Sequence, residues 1–222
     1  MKKILVIAPH NDDELLGVGG TIIKHINSGN KVYVCIATHG TPPLFSPEGT
    51  NRNHQETIKC HTHLGVEKTF FLDFPAVLID KEDRYKINDE ILAIVKEVKP
   101  DDVYIPHYGD MQKDHQIIAD ACMVALRPKY GHQFQHIYAY ETMSETAWNV
   151  PNVQNEFIPN VYVDISAELP AKLEALKFYE TQMGDFPDAR SIEAIEHLAK
   201  YRGALMHMKA AEAFMLIREI IR

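Results

Sequence analysis

The stretch Pro9-His10-Asn11-Asp12-Asp13-Glu14 decides the fold, because it separates a strand pattern from a helix pattern. Residues 3–8 before it are a short apolar segment rich in β-branched side chains, which is typical of a buried strand. Residues 15–26 after it have apolar side chains at helical spacing and lead to Gly29. One imidazole and three carboxylates therefore lie on a strand-to-helix turn, where the carboxylates repel one another unless a cation binds among them. The helix N-terminus supplies about half a positive charge, and a divalent metal supplies more.

Strand and helix patterns continue to alternate along the chain. Because the strands are continuously apolar, the pattern predicts a Rossmann-like α/β fold, with a parallel sheet in the order 3-2-1-4-5 and helices on both faces. A helical C-terminal extension is expected to follow a short strand at residues 161–165. The other predicted strands are 31–38, 69–74, 102–106 and 136–141, the helices between them are 51–64, 88–99 and 114–126, and the extension comprises 167–184, 190–202 and 209–221.

The loop after the fourth predicted strand has the second set of polar side chains, His107-Tyr108-Gly109-Asp110-Met111-Gln112-Lys113-Asp114-His115. In the predicted strand order, strands one and four are neighbours, and their C-terminal loops flank the crevice where open parallel sheets bind ligands. Two imidazoles and one carboxylate, drawn from His10, Asp12 or Asp13, and His115, form a zinc-like ligand set that leaves a position for water. A structural zinc would instead be closed by four protein ligands, so the pattern favours a catalytic type of metal site.

Length and composition limit the classes of protein that fit. At 222 residues and 45% hydrophobic content, one domain spanning 1–222 is the simplest expectation. A formal net charge of -8 argues against a nucleic-acid partner. No apolar run is long enough for a membrane span, and the three cysteines, Cys35, Cys60 and Cys122, are expected to be reduced and buried. A cytoplasmic protein is therefore expected, with a homo-oligomer as an open alternative.

The turn Pro-His-Asn-Asp-Asp-Glu, the following Gly17-Val18-Gly19-Gly20 and the later Gly-Asp-Met-Gln-Lys-Asp-His resemble the PIG-L/LmbE-like family of metal-dependent N-deacetylases. These enzymes remove acetyl groups from N-acetylglucosamine-type sugars. The resemblance implies one zinc ion per chain, with other divalent metals as alternatives, held by His10, Asp13 and His115. It also implies that Asp12 is the general base and that Asp114 orients a neighbouring histidine. Further similar stretches are Leu64-Gly65-Val66, Tyr140-Glu141-Thr142, Arg190-Ser191, Arg202-Gly203 and Ala211-Glu212-Ala213-Phe214.

The chain departs from the family pattern at two positions. Asn11 stands where the family usually has proline, and Gln112 stands where a histidine is common. A glutamine can donate a hydrogen bond to a developing oxyanion but cannot act as an acid near neutral pH, which leaves both proton transfers to Asp12. An amide at this position also resembles relatives in polysaccharide biosynthesis, which implies an acetamido sugar that is nucleotide- or lipid-linked. The residues expected to bind substrate are His39, Arg52, His107, Asp110 and Arg190.

The expected function is thus hydrolysis of an acetamido sugar to acetate and an amino sugar, with that small molecule as the partner. Two alternatives stay open from the sequence. One is a metal- and sugar-binding relative that has lost catalysis, an alternative supported only by Asn11 and Gln112. The other is a deacylase of another small N-acyl compound. The sequence also leaves two roles possible for Glu14. It could be a partner of the site residues, or an acidic residue in the first helical turn that interacts favourably with the helix dipole.

Overall fold

The apolar segments of the sequence form the strands of one sheet in the computed structural model, which describes residues 1–131 and 134–221. The strands are Lys3–Ala8 (β1), Lys31–His39 (β2), Lys68–Pro75 (β3), Asp102–Pro106 (β4), His136–Tyr140 (β5), Val161–Asp164 (β6) and Ala211–Glu219 (β7). The α-helices are Asp13–Asn27 (α1), Pro47–Leu64 (α2), Arg84–Val98 (α3), Lys113–Ala125 (α4), Met143–Thr146 (α5), Leu169–Leu176 (α6) and Ile192–Leu205 (α7).

The seven strands are arranged in the order β3-β2-β1-β4-β5-β7-β6. The first five pair in parallel, and this part of the sheet confirms the predicted order 3-2-1-4-5. β7 pairs antiparallel with β5, and β6 pairs antiparallel with β7, so the sheet is extended by two strands beyond the prediction. The carboxyl ends of β1 and β4 are neighbours, which brings the two polar loops of the sequence together.

Alternate side chains of the strands pack against helices on opposite faces of the sheet, as predicted for a buried parallel sheet. In β1, Leu5 and Ile7 belong to the core cluster that includes apolar residues of α3 and α4. Ile4 and Val6 belong to the opposite cluster, which includes residues of α1. Both faces of β1 are therefore covered by apolar side chains, and the polar residues of the turn begin where the strand ends.

The helix predicted at 209–221 is wrong, because this segment is the strand β7, Ala211–Glu219. Alanine, glutamate, methionine and leucine favour a helix in isolation, but pairing with strands on both sides overrides that preference. The buried Glu212 fixes the strand to α1, since its carboxylate accepts the backbone N–H groups of Gly20 and Thr21, each at 2.7 Å. Lys172 of α6 neutralises this carboxylate at 2.6 Å. The helix predicted at 190–202 exists with slightly shifted limits as α7, whereas the one predicted at 167–184 ends at Leu176, so that only its first part is the helix α6.

The expectations about thiols and membrane spans can be compared with the described residues. Cys35, Cys60 and Cys122 are buried and form no disulfide. Burial raises the pKa of each of these thiols, which keeps them protonated and unreactive. Within 1–131 and 134–221, none of the helices combines the length and the apolar character that crossing a bilayer requires.

Candidate active site

The turn between β1 and α1 holds its acidic side chains in a tight arrangement. His10 donates its backbone N–H to Asp13 Oδ2 at 2.9 Å, which closes the turn. Asp12 adopts a φ of 103°, a region that residues other than glycine rarely occupy. The backbone N–H groups of Leu15 and Leu16 both donate to the carbonyl of Asp12, at 2.9 Å each, and so begin α1. The strained residue therefore lies at the point where strand becomes helix, as strained residues at functional sites often do.

The loop after β4 lies beside this turn and contributes His115 from the first turns of α4. His115 is fully buried and donates from Nδ1 to Asp110 Oδ2 at 2.8 Å. The other oxygen of Asp110 accepts from Thr146 Oγ1 at 2.6 Å. Asp110 is thus used to hold an imidazole, and its carboxylate is buried behind His115.

His10 is held in an equivalent way by Asp114. The imidazole of His10 donates from Nε2 to Asp114 Oδ2 at 2.8 Å, and the backbone N–H of Val77 donates to the same oxygen at 2.7 Å. The histidine that Asp114 orients is therefore His10 from the other loop, and Asp110 orients the sequence neighbour His115. Each imidazole has one nitrogen fixed by a carboxylate, which determines the nitrogen that is presented to a ligand.

The remaining nitrogens of the two imidazoles converge on Asp13. His10 Nδ1 and His115 Nε2 each lie 3.2 Å from Asp13 Oδ2. One ligand atom from each of these three residues lies within 4.8 Å of the others. His115 Nε2 and Asp13 Oδ1 are buried and have no hydrogen-bond partner. Two oriented imidazoles and a carboxylate fit a divalent metal of the zinc type, and the buried atoms without hydrogen-bond partners are available as its ligands.

The pKa values of these groups reflect the carboxylates around them. Burial alone would lower the pKa of His10, but hydrogen bonds to Asp114 and Asp13 raise it to about 9. Burial likewise opposes the charged form of His115, while the charge of Asp13 and the bond to Asp110 raise its pKa to about 10. Burial would raise the pKa of Asp13, but the charge of His115 and the bond to His10 hold it well below its usual range. The site therefore favours a positive charge among its carboxylates.

Asp12 is next to this set but does not belong to it. Its side chain is fully buried, neither of its oxygens has a hydrogen-bond partner, and Oδ2 lies 3.3 Å from Arg190 Nη1. Burial raises the pKa of Asp12 well above its usual value, while the charge of Arg190 acts in the opposite direction. Arg190 is positioned by Ser144, whose Oγ accepts from its Nε at 3.0 Å. A carboxylate with free lone pairs beside a metal-type site can accept a proton.

A cavity of about 480 Å³ opens above these residues. His10, Gln112, His39 and Arg190 line it, together with exposed apolar side chains at its entrance, Leu44 and Phe45. A neighbouring cavity of about 200 Å³ shares Asn11, Thr38, His39, Gly40, Thr50 and Asn53 with it. Both volumes together are in the size range of sites for small organic ligands.

Three residues expected to bind substrate do not line this cavity. Arg52 pairs with Glu56 at 3.1 Å and with Glu180 at 2.6 Å. His107 is buried and donates from Nε2 to the carbonyl of Asn155 at 3.0 Å. Asp110 is buried behind His115, as described above. Arg52 and Asp110 are thus engaged by other side chains, and His107 is bound through Nε2 while its buried Nδ1 has no hydrogen-bond partner.

The sequence reasoning missed Glu145, which lines the cavity and is buried. Its Oε1 lies 3.6 Å from Arg190 Nη2, and its Oε2 has no hydrogen-bond partner. Burial raises the pKa of this carboxyl. The residue lies shortly after β5, so the rule that polar residues at the carboxyl ends of strands form the site would have included it.

Comparison with known proteins agrees with this geometry. The model of the PIG-L family, described as GlcNAc-PI de-N-acetylase, matches residues 5–126. That span includes most of β1, both polar loops and α4, and it covers more than half of the chain. The chain belongs to the PIG-L family. The resemblance drawn from the two motifs is therefore confirmed.

Similar sequences within curated proteins are deacetylases. The diacetylchitobiose deacetylase of Thermococcus kodakarensis is 28% identical over 212 residues, which cover 85% of this chain and 72% of that protein. The uncharacterized deacetylase YaiS of Escherichia coli K12 is 29% identical over 189 residues, covering 81% of this chain and 91% of that protein. These relatives support an N-deacetylase, a hydrolase of N-acetyl groups, for this PIG-L protein.

Similar solved structures show how widely the fold is used. The 4-carboxy-2-hydroxymuconate hydratase of Pseudomonas putida KT2440 matches with a TM-score of 0.78 and 17% identity, over 100% of this chain and 98% of that protein. At this identity the match shows the fold alone. Because a hydratase shares the fold of this PIG-L protein, the reaction must be argued from the side chains of the site.

Proposed function

We propose that the chain is a metal-dependent N-deacetylase that hydrolyses the acetamido group of a sugar and releases acetate. The observation that carries this proposal is the pairing of the two imidazoles. His10 and His115 each have one nitrogen held by a carboxylate and the other turned toward Asp13. The carboxylate of Asp12, which has no hydrogen-bond partner, lies beside them, and its neighbour Arg190 lines the cavity together with His10.

His10, Asp13 and His115 would hold the metal, one ion per chain. Zinc is the expected ion because two imidazoles and a carboxylate are the ligand set of many catalytic zinc sites, although this donor set also accepts other divalent metals. A bound metal of this kind supplies Lewis acidity, which lowers the pKa of water and polarises a carbonyl. Asp114 and Asp110 act as positioning residues, since they fix the two imidazoles in the orientation that a metal requires.

Asp12 would act first as the general base and then as the general acid of the reaction. Its carboxylate takes one proton from the attacking water, whose oxygen forms a bond to the amide carbon. When the carbon–nitrogen bond breaks, Asp12 returns that proton to the leaving nitrogen, and the products are acetate and an amino sugar. Arg190, 3.3 Å away, favours the ionised form of Asp12 that begins this cycle.

Gln112 and the other cavity residues would hold the substrate. The amide of Gln112 can donate a hydrogen bond to the oxyanion that develops on the carbonyl oxygen. His39 and Arg190 line the same cavity and are the retained candidates for contacts to the sugar. Arg52 and His107 are turned to other partners and are not part of this proposal.

Acetate release tests the proposal directly. The protein loaded with zinc is incubated with N-acetylglucosamine, N,N′-diacetylchitobiose and an N-acetyl amino acid, and acetate is measured enzymatically. We expect acetate from an acetamido sugar and a large loss of activity in Asp12→Asn, which retains the metal. A metal-loaded protein that releases no acetate from any sugar would contradict the proposal, and faster hydrolysis of the amino acid would point to a different amide substrate.

A further inference from the structure

The charges around the cavity carry information about the substrate beyond its acetamido group. Resting on the proposed deacetylase function, we infer that the site accepts an uncharged acetamido oligosaccharide and discriminates against sugars that carry a phosphate or carboxylate. The nucleotide- or lipid-linked sugar expected from the sequence would then be a poor substrate, because a nucleotide or phospholipid carrier is anionic.

Arg190 is an arginine on the cavity lining, but its charge is already neutralised by carboxylates. Its guanidinium lies 3.3 Å from Asp12 and 3.6 Å from Glu145. It also donates to Ser144 Oγ at 3.0 Å and to Gln182 Oε1 at 3.4 Å. A guanidinium with two carboxylate neighbours and two further acceptors has little capacity left for a phosphate, which binds best to unpaired arginine and lysine.

The part of the cavity wall that the structure describes has no further lysine or arginine side chain to replace it. Among the described residues, 1–131 and 134–221, no lysine lines the cavity and Arg190 is its one arginine. Arg52 is nearby on α2, but it is engaged by Glu56 and Glu180 and does not line the cavity. His39 lines the cavity, and its Nδ1 lies 3.8 Å from the carboxylate of Asp73.

Glu145 adds a negative charge to a cavity that is already poor in cationic side chains. The residue is 7% exposed and its Oε2 has no hydrogen-bond partner, so this oxygen can accept a hydrogen bond from a sugar hydroxyl. A phosphate in the same space would meet this oxygen with a like charge, in an environment of low dielectric where repulsion is strong. His10, Asp13 and His115 would hold the metal, and the carboxylate of Asp13 would balance part of its positive charge.

The remaining lining matches a neutral sugar. The neutral polar side chains of Asn11, Asn53, Thr50 and Thr181 line the cavity. Thr50 and Thr181 already donate their hydroxyl protons within the protein, and their oxygens keep lone pairs that can accept from sugar hydroxyls. Leu44 and Phe45 at the entrance offer apolar surface for the C–H face of a second sugar ring. The 480 Å³ cavity and its 200 Å³ neighbour give space for more than one ring.

A pair of substrates that differ in charge tests this inference. We measure kcat/KM of the zinc-loaded protein for N,N′-diacetylchitobiose, N-acetylglucosamine, N-acetylglucosamine-1-phosphate and UDP-N-acetylglucosamine. We expect both neutral sugars to exceed the 1-phosphate by at least about tenfold at low salt, and the difference to shrink as salt screens the repulsion. An equal or higher kcat/KM for either anionic sugar would overturn the inference and leave the deacetylase proposal standing.

Two variants test the same idea from the protein side. Asn53→Arg places a cation on the cavity wall, and Glu145→Gln removes the like charge. Each is expected to raise kcat/KM for N-acetylglucosamine-1-phosphate relative to diacetylchitobiose by about threefold or more. Glu48→Gln is the matched control, because Glu48 is exposed on α2 outside the cavity lining, and it should leave the ratio unchanged. Unchanged ratios in both cavity variants would contradict the inference, and absence of acetate from every sugar would overturn the proposed function together with it.

Discussion

Glu14 accepts a hydrogen bond from the backbone N–H of Asp12 at 3.2 Å, and so braces the strained residue that precedes it by two positions. The other oxygen of Glu14 is bound by His61 Nε2 at 3.1 Å and by the hydroxyl of Tyr179. His61 is in turn fixed by Thr69 Oγ1, 2.7 Å from its Nδ1. The buried carboxylate therefore connects the turn at the end of β1 to α2, β3 and the segment after α6.

This network predicts a large stability loss for Glu14→Ala. The change leaves the buried groups of His61 and Tyr179 without their acceptor, and it removes the support of the positive φ at Asp12. We expect a decrease of about 2–4 kcal/mol in the free energy of unfolding, measured by urea denaturation. Glu14→Gln, which keeps an acceptor oxygen, should lose less. Equal stability of the alanine variant and the wild type would show that the network does not support the fold.

The role of Glu14 illustrates what the sequence could and could not predict. The sequence pattern places Glu14 in the first turn of a helix, and a favourable interaction with the helix dipole is enough to explain an acidic residue there. Its partners, His61 and Tyr179, are 47 and 165 residues away in sequence. Only the sheet order and the packing of α2 and α6 on one face bring them together, and no local pattern encodes those distances.

The predictable part of the molecule is the part that depends on local patterns and sheet rules. Apolar strands alternating with helices were sufficient for the order of β1 to β5 and for the convergence of His10 with His115. The start of α2 at Pro47 was predicted four residues late, although Ser46 accepts the N–H of Gly49 as a helix cap. The strand β7 could not be predicted, because its preference is set by neighbouring strands and by the bond of Glu212 to α1.

Metal binding should release protons. In the metal-free protein the pKa values of His10 and His115 are about 9 and about 10, so both imidazoles are protonated at pH 7.5. A metal needs both nitrogens unprotonated, so zinc binding should displace about two protons per ion. Titration calorimetry in two buffers of different ionisation enthalpy measures this number. His115→Ala should lose most of the bound metal, and full occupancy in that variant would contradict the ligand assignment.

The metal-free protein should lose stability in alkaline solution. Because the pKa values of His10 and His115 lie above the ordinary 6.5, their ion pairs stabilise the fold fully below about pH 6.5. This contribution is lost as pH rises through about 9 and then about 10. Thermal unfolding of chelator-treated protein between pH 7 and 10.5 should therefore show a falling Tm. The zinc-loaded protein should show a smaller decrease over the same range, since its imidazoles carry no proton to lose.

Asp12→Asn should separate catalysis from metal binding. Asp12 lies beside the three converging side chains and its oxygens have no hydrogen-bond partner, so its removal leaves His10, Asp13 and His115 in place. We expect a decrease in kcat of roughly 10²–10⁴, the usual contribution of a general base. Metal content, measured by elemental analysis, should stay near that of the wild type. A variant that loses its metal would mean that Asp12 is a ligand.

Gln112 is one of the two positions where the sequence is expected to depart from the family pattern, and its variants test whether a neutral donor serves the reaction there. Gln112 lines the cavity immediately before α4, with His10 and Arg190 on the same lining. Loss of one oxyanion donor typically costs about 10²–10³ in kcat, so Gln112→Ala should slow turnover by that factor while the metal stays bound. Gln112→Glu presents an acceptor where a donor is needed, and should be at least as harmful.

Gln112→His restores a donor that can also give up a proton, and should retain substantial activity with a new dependence on pH near the histidine range. Normal turnover of the alanine variant would exclude Gln112 from the oxyanion and make Arg190 the next donor to test.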